Sequence, residues 1–149
     1  MKIERTVLLR AASKEVFELV DDLGRCPQWM DLVHDVSEVS GGDQRSWDVE
    51  LRAQVGPLAR SKRLRMTRTV HEPTRRVVFE RSEVDGRRHS PWVLESVLAD
   101  RSSGDIELTM TLTYGGNLWT GAVLERVLDD HVERGARSLA GLLEPPANP

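Results

Sequence analysis

One cysteine, one tyrosine and two phenylalanines are all that this 149-residue chain holds of residue types on which many small proteins build their stability. With Cys26 alone there can be no internal disulfide and no group of thiolates at metal-site spacing. The thiol reads either as a small apolar side chain or as a nucleophile, and the second needs a neighbouring base that the sequence does not display. No apolar run approaches the roughly 20 residues that cross a bilayer. "MKIERTVLLR" alternates charge with aliphatics where a signal peptide would be continuously apolar. A dominant charge is lacking too: 24 acidic residues stand against 21 basic ones, and the net charge of -3 creates no field that would gather nucleic acid or anionic lipid. A cytoplasmic protein without a nucleic-acid partner or stable membrane insertion is therefore expected. His34, His71, His89 and His131 are scattered, with neither H-x-x-x-H nor H-E-x-x-H spacing, and there is no serine elbow, phosphate-binding glycine loop or dinucleotide fingerprint. No metal and no cofactor are expected.

What the chain does have is regular alternation. "KIERTVLLR" puts Ile3, Arg5, Val7 and Leu9 on one face, the period of a strand. Ser13 stands as a helix N-cap, Glu15 suits the first turn, and Val16, Phe17, Leu19, Val20 and Leu23 recur at helical spacing up to Gly24, which reads as a C-terminal cap. Pro27 then opens a second short helix, "CPQWMDLV". Strands are predicted over 34–40, 46–55, 59–71, 76–84, 88–100 and 105–114, separated by Gly41-Gly42-Asp43, Gly56-Pro57, Glu72-Pro73-Thr74, Asp85-Gly86 and Ser102-Ser103-Gly104-Asp105. Strands joined by such short turns pair as an antiparallel meander. After Gly115-Gly116 and a capping Asn117, residues 118–143 form the longest helical pattern, about 39 Å at 1.5 Å per residue. "EPPANP", 144–149, is a flexible tail, and residues 1–149 otherwise read as one α+β domain.

Turned at 100° per residue, the last helix gathers Leu118, Gly121, Leu128, Val132, Gly135, Ala136, Leu139 and Leu143 on one face. Glycine costs about 1 kcal/mol relative to alanine in a helix interior, so two glycines there mean either close packing or a void beneath the helix. The strands present a broad apolar face to it: Trp47, Val49, Leu51, Ala53 and Val55; Leu64, Met66 and Val70 together with Arg68; Trp92, Leu94, Ser96 and Leu98; Ile106, Leu108, Met110, Leu112 and Tyr114. A helix roughly 10 Å across covers only part of such a sheet. The broken opening helix can turn the corner of a curved sheet, with Trp29 and Met30 either walling a chamber or plugging a core.

The run "ASKEVFELVDDLGRCPQWMDLVHDVSEV", Ala12 to Val39, with "EPTRRVVFE", Glu72 to Glu80, resembles the START-like (SRPBCC) superfamily, in its polyketide cyclase/dehydrase and lipid transport branch. The resemblance covers almost the whole chain and implies the helix-grip fold: a curved seven-stranded antiparallel sheet wrapped round a long C-terminal helix, with two short helices between strands 1 and 2. It also implies a cavity between sheet and helix, used by relatives to hold apolar molecules or to cyclise and dehydrate poly-β-ketone chains. These motifs belong to the scaffold, so they speak to fold more than to activity.

Inside such a cavity Arg68 is the sharpest candidate, a fixed donor pair for a ligand carbonyl, enolate or carboxylate, unless a bulge or a place at the mouth lets it reach water. Glu125, near the centre of the helix stripe, could be its counter-ion or a general base, or could reach solvent at the end of the groove. Tyr114 offers a hydroxyl to a ligand or to water, Ser96 is a weaker donor, and His131 sits half-exposed on the helix shoulder. Trp29, Met30, Trp47, Leu51, Met66, Trp92, Leu94, Met110, Gly121 and Leu128 complete the expected lining. The function expected is binding of a lipid or polyketide-like molecule. The alternatives are a cyclase, aromatase or dehydratase in the same cavity, and an interaction module whose interior is packed by Trp47, Trp92 and Met110.

Overall fold

The structure, a computed structural model, describes residues 2–55, 57–83, 85–115 and 122–143. The order is β1 (Lys2–Leu9), α1 (Ser13–Val20), a 3-10 helix (Leu23–Gln28), β2 (Val33–Val39), β3 (Ser46–Val55), β4 (Leu58–Glu72), β5 (Arg76–Arg81), β6 (Trp92–Asp100), β7 (Ile106–Tyr114) and α2 (Ala122–Leu143). All neighbours in the 7-stranded sheet β1-β7-β6-β5-β4-β3-β2 run antiparallel, so β2 to β7 form a meander and β1 adds to its far side. This is the helix-grip α+β fold. Left-handed backbone at Gly41, Gly42, Gly86, Gly104 and Thr74 falls within the turns that the sequence marks. The flexible tail expected over 144–149, and Leu118 and Gly121 of the expected helix face, lie outside the described residues.

The broken helix differs from expectation in its details. Ser13 is the first helical residue and Ala12 holds the N-cap position without a side-chain bond. Gly24 does not cap α1: Asp21 does, its N–H donating to Phe17, and the chain then extends through Asp22, whose carboxylate accepts from the Gly24 N–H at 2.8 Å. An aspartate-capped 3-10 turn thus replaces the left-handed glycine that a helix C-terminus often needs. The second helix occupies 23–28 rather than starting at Cys26. Pro27 sits between a turn closed on the Asp22 carbonyl and one closed on Cys26, where its missing N–H breaks nothing.

On the sheet, residues paired across strands share a face. Trp47 stands opposite Met66 and Met66 opposite Arg81; Arg68, Phe79, Leu94, Leu112 and Ile3 make a neighbouring row. The expected companion Val70 is not on that face. A bulge at Thr69 shifts the register, pairing Val70 with Val78 on the outer side and turning His71 inward against the Phe17 ring, 5.4 Å away. Leu128, Val132, Ala136 and Leu139 of α2 are buried against the concave face, and the described turns of α2 lie closest to β1 and β3, towards its two margins. Arg5 of β1 pairs with Asp129 of α2. Among the described residues no helix is long and apolar enough to cross a membrane.

Candidate functional site

The concave face collects most of the lining that alternation selects. Trp47, Leu51, Met66, Trp92, Met110, Tyr114 and Leu128 are buried there, with Ser96 and the less covered Leu94. The Trp92 and Tyr114 rings lie 5.6 Å apart, and Phe79 meets Trp47 edge-on at 5.5 Å. Trp47 and Met110 expose 0% of their surface, so this part of the interior is filled by its own side chains. The indole N–H of Trp47 nonetheless has no acceptor among the described residues. An unmet buried donor costs about 1–3 kcal/mol.

Trp29 and Met30 come to the same interior from the helix break, exposing 2% and 3%. The Trp29 indole donates to the Leu19 carbonyl at 3.0 Å, tying the break to α1. Met30 explains Gly135: a Cβ on that glycine would stand 3.0 Å from both the Met30 sulfur and its methyl carbon. Close packing, rather than a void, therefore accounts for this glycine, and its partner is the helix break. Gly121 and the side chain of Glu125, and with it the expected Arg68 to Glu125 pairing, lie outside the described residues.

Arg68 lies on the concave face but near its rim. It is half-buried and donates to the Asp21 carbonyl at 3.0 Å. Burial, then the neighbouring Arg45, disfavours its charge, while Asp21, Asp22 and Glu38 support it. Arg45, bonded twice to Glu38 and lying 5.0 Å from the Trp47 ring centre, completes a charged rim at the end of α1. Tyr114 is 1% exposed, so its hydroxyl does not cap the core in open water. His131 is also buried, not half-exposed, because it pairs with Asp31 at 2.6 Å and packs α2 onto the segment after the break. Burial, with Asp22 nearby, pushes the Cys26 thiol far above its ordinary value, which removes the nucleophile reading.

Two charged residues of the concave face escape a reading based on apolar runs. Arg81, in the Met66 row, has a side chain only 11% exposed; its Nε donates to Glu83 at 2.5 Å and its Nη1 to Ser90. Lys62 stands opposite Leu51, with its ammonium 5.8 Å from the centre of the Trp92 ring. Period two carries both positions inward, Lys62 two before Leu64 and Arg81 two after Phe79, yet each is flanked by a charged residue, Lys62 by Arg63 and Arg81 by Glu80. Arg63 and Arg65 of the same stretch do face outward, paired with Glu50 and Asp48. Among the described residues no three metal-binding side chains gather.

A family model described as "Polyketide cyclase / dehydrase and lipid transport" matches residues 1–144. Among solved structures, a START superfamily protein from Mycobacterium smegmatis aligns with a TM-score of 0.73 at 13% identity, covering 95% of this chain and 96% of that one. Protein DR_A0006 from Deinococcus radiodurans aligns at 0.64 and 20% identity, over 96% and 100%. The di-domain ARO/CYC BexL of the BE-7585A biosynthetic pathway aligns at 0.68 and 15%, over 99% of this chain and 51% of that one. At these identities the likeness is one of fold. No curated protein matches the sequence.

Proposed function

Because the chain belongs to the polyketide cyclase/dehydrase and lipid transport family, we propose that it takes an apolar, polyketide-like small molecule between the concave face and α2. The observation that supports this reading is the apolar face itself, lying under a helix that approaches mainly its margins and holding a buried Trp47 N–H without an acceptor. A guest carbonyl would meet that donor. Since the described interior is closed, entry requires side chains to yield, and Met30, Met66 and Met110 are the flexible ones. Binding would draw about 25 cal/mol from each Å² of apolar surface covered. Organic extraction of the purified protein with mass spectrometry, and titration with the neutral probe 1-pyrenebutanol, test the reading. An empty extract together with an unresponsive probe would refute it and favour the interaction module with a packed core.

Of the uses such a guest could have, cyclisation or dehydration is favoured by the family and by the fold shared with about half of the di-domain ARO/CYC BexL. In that use Arg68 holds developing enolate charge. Arg68→Ala should then cut turnover of a poly-β-ketone analogue far more than probe affinity; equal losses in both would point to carriage without chemistry.

A further inference from the structure

We propose that Lys62 and Arg81, beside Trp92 at the rim of the concave face, form a carboxylate-binding subsite, so that the apolar guest carries an acid group at one end. The proposal rests on the reading that a guest is bound at all.

The charges around this corner do not balance. Among the described residues Glu83 is the acid whose charge supports Lys62, and its oxygens are engaged by Arg81 Nε at 2.5 Å and by the Arg65 backbone N–H at 3.2 Å. Burial presses the Glu83 carboxyl upward, but those bonds and the Arg81 charge outweigh it and hold the group below its ordinary value. Arg81 spends Nη1 on the carbonyl and hydroxyl oxygens of Ser90, both at 3.3 Å. Among the described residues these two cations thus share one anion, and no carboxylate of that set reaches salt-bridge distance of the Lys62 ammonium. Burial first and Arg81 second hold Lys62 below the usual lysine value, with Glu83 opposing them only in part. An ammonium this placed, half-covered and next to another cation, is stabilised by an incoming anion.

The surroundings suit an amphipathic acid rather than a simple ion. Trp92 is 2% exposed and Leu51, opposite Lys62, 5%, so apolar walls begin where the charges end. β5 stops at Arg81 and β6 starts at Trp92, leaving next to Arg81 an opening of about 230 Å³ that Arg87, Ser90 and Trp92 line together with the acids Glu80 and Glu83; Lys62 lies outside it, on the Trp92 side. A lysine that merely lays its stem over Trp92 and sends its ammonium to water would show no preference for acids.

The test is a matched pair of probes, 1-pyrenebutanoate and 1-pyrenebutanol, titrated into the full chain at neutral pH by fluorescence. The acid should bind roughly tenfold tighter than the alcohol, in line with a charge-assisted contact discounted for partial exposure. Lys62→Met should abolish that ratio while leaving alcohol binding within a few-fold. Equal binding of the two probes to the unmodified chain overturns the subsite and leaves the proposed function standing. Binding of neither probe overturns the subsite, and with an empty organic extract it removes the guest as well. An acid preference that survives both Lys62→Met and Lys62→Gln overturns the assignment to Lys62. The ratio in the unmodified chain is read without any variant, so poor folding of a substitution does not decide the matter.

Discussion

Replacing Gly135 by alanine isolates the contact that joins the helix break to α2. In a helix interior alanine is favoured over glycine by about 1 kcal/mol. Against this, the new methyl would stand 3.0 Å from the Met30 sulfur and methyl carbon and 3.4 Å from the Trp29 carbonyl oxygen. Forcing an extra carbon into a filled interior typically costs about 1–3 kcal/mol. Met30 is flexible but 3% exposed, and the backbone behind it is part of the same contact, so it can yield only a little. The balance is a net loss of about 1 kcal/mol, or ~2–4 °C in melting temperature for a chain of this size. Gly141 supplies the control: it lies in the same helix with nothing within 4 Å, so Gly141→Ala should gain up to about 1 kcal/mol. Met30→Ala should cost about 2–5 kcal/mol, and in its background Gly135→Ala should turn from a loss into a gain. Denaturant unfolding of the single and double variants measures all four quantities. If Gly135→Ala stabilises the otherwise unmodified chain as much as Gly141→Ala does, Met30 moves freely and close packing does not explain the glycine.

Lys62→Met should raise the melting temperature of the empty chain at neutral pH. The lysine value is lowered on folding, so its charge opposes the folded state below that lowered value, and the opposition fades as pH rises through it toward the ordinary one. The advantage of the variant should therefore shrink in alkaline solution; a constant advantage would contradict the burial argument. Trp29→Phe removes the bond to the Leu19 carbonyl and part of a buried ring, and should cost about 1–3 kcal/mol in denaturant unfolding. Cys26, 1% exposed and held as the thiol, should react with iodoacetamide at least ~100-fold more slowly in the native chain than in denaturant, followed by mass spectrometry.

The bounds of β3 and β4 are legible because alternation and turn residues agree: the predicted 46–55 is β3, and 59–71 differs from β4 by one residue at each end; 76–84 and 88–100 overrun β5 and β6, which stop at Arg81 and start at Trp92 where the chain leaves the sheet. The bulge at Thr69 is not legible, since an extra residue becomes visible only against a partner strand, and Val70 changes faces with it. The glycines of α2 announced something unusual, but a helical wheel cannot say which element fills the space, and for Gly135 it is Met30 from more than a hundred residues away. Arg68 was found on the correct face yet tied to Asp21 rather than held deep inside. Arg81 and Lys62 do not stand out in a search for apolar alternation, because their inward placement shows only when the period of the strand is followed through a charged position.

The pairing of β1 with β7 has a bearing on how the chain reaches this arrangement. During synthesis β1 cannot find its neighbour until residues 106–114 have followed, and meanwhile Ile3, Val7 and Leu9 lack the strand they pair with. Six strands can zip locally, hairpin by hairpin, while the seventh must close a loop that spans most of the polypeptide, a step that entropy makes slow. Since α2 lies along β1, the roof is set last as well, and delays in folding should leave both margins open to association with other nascent chains.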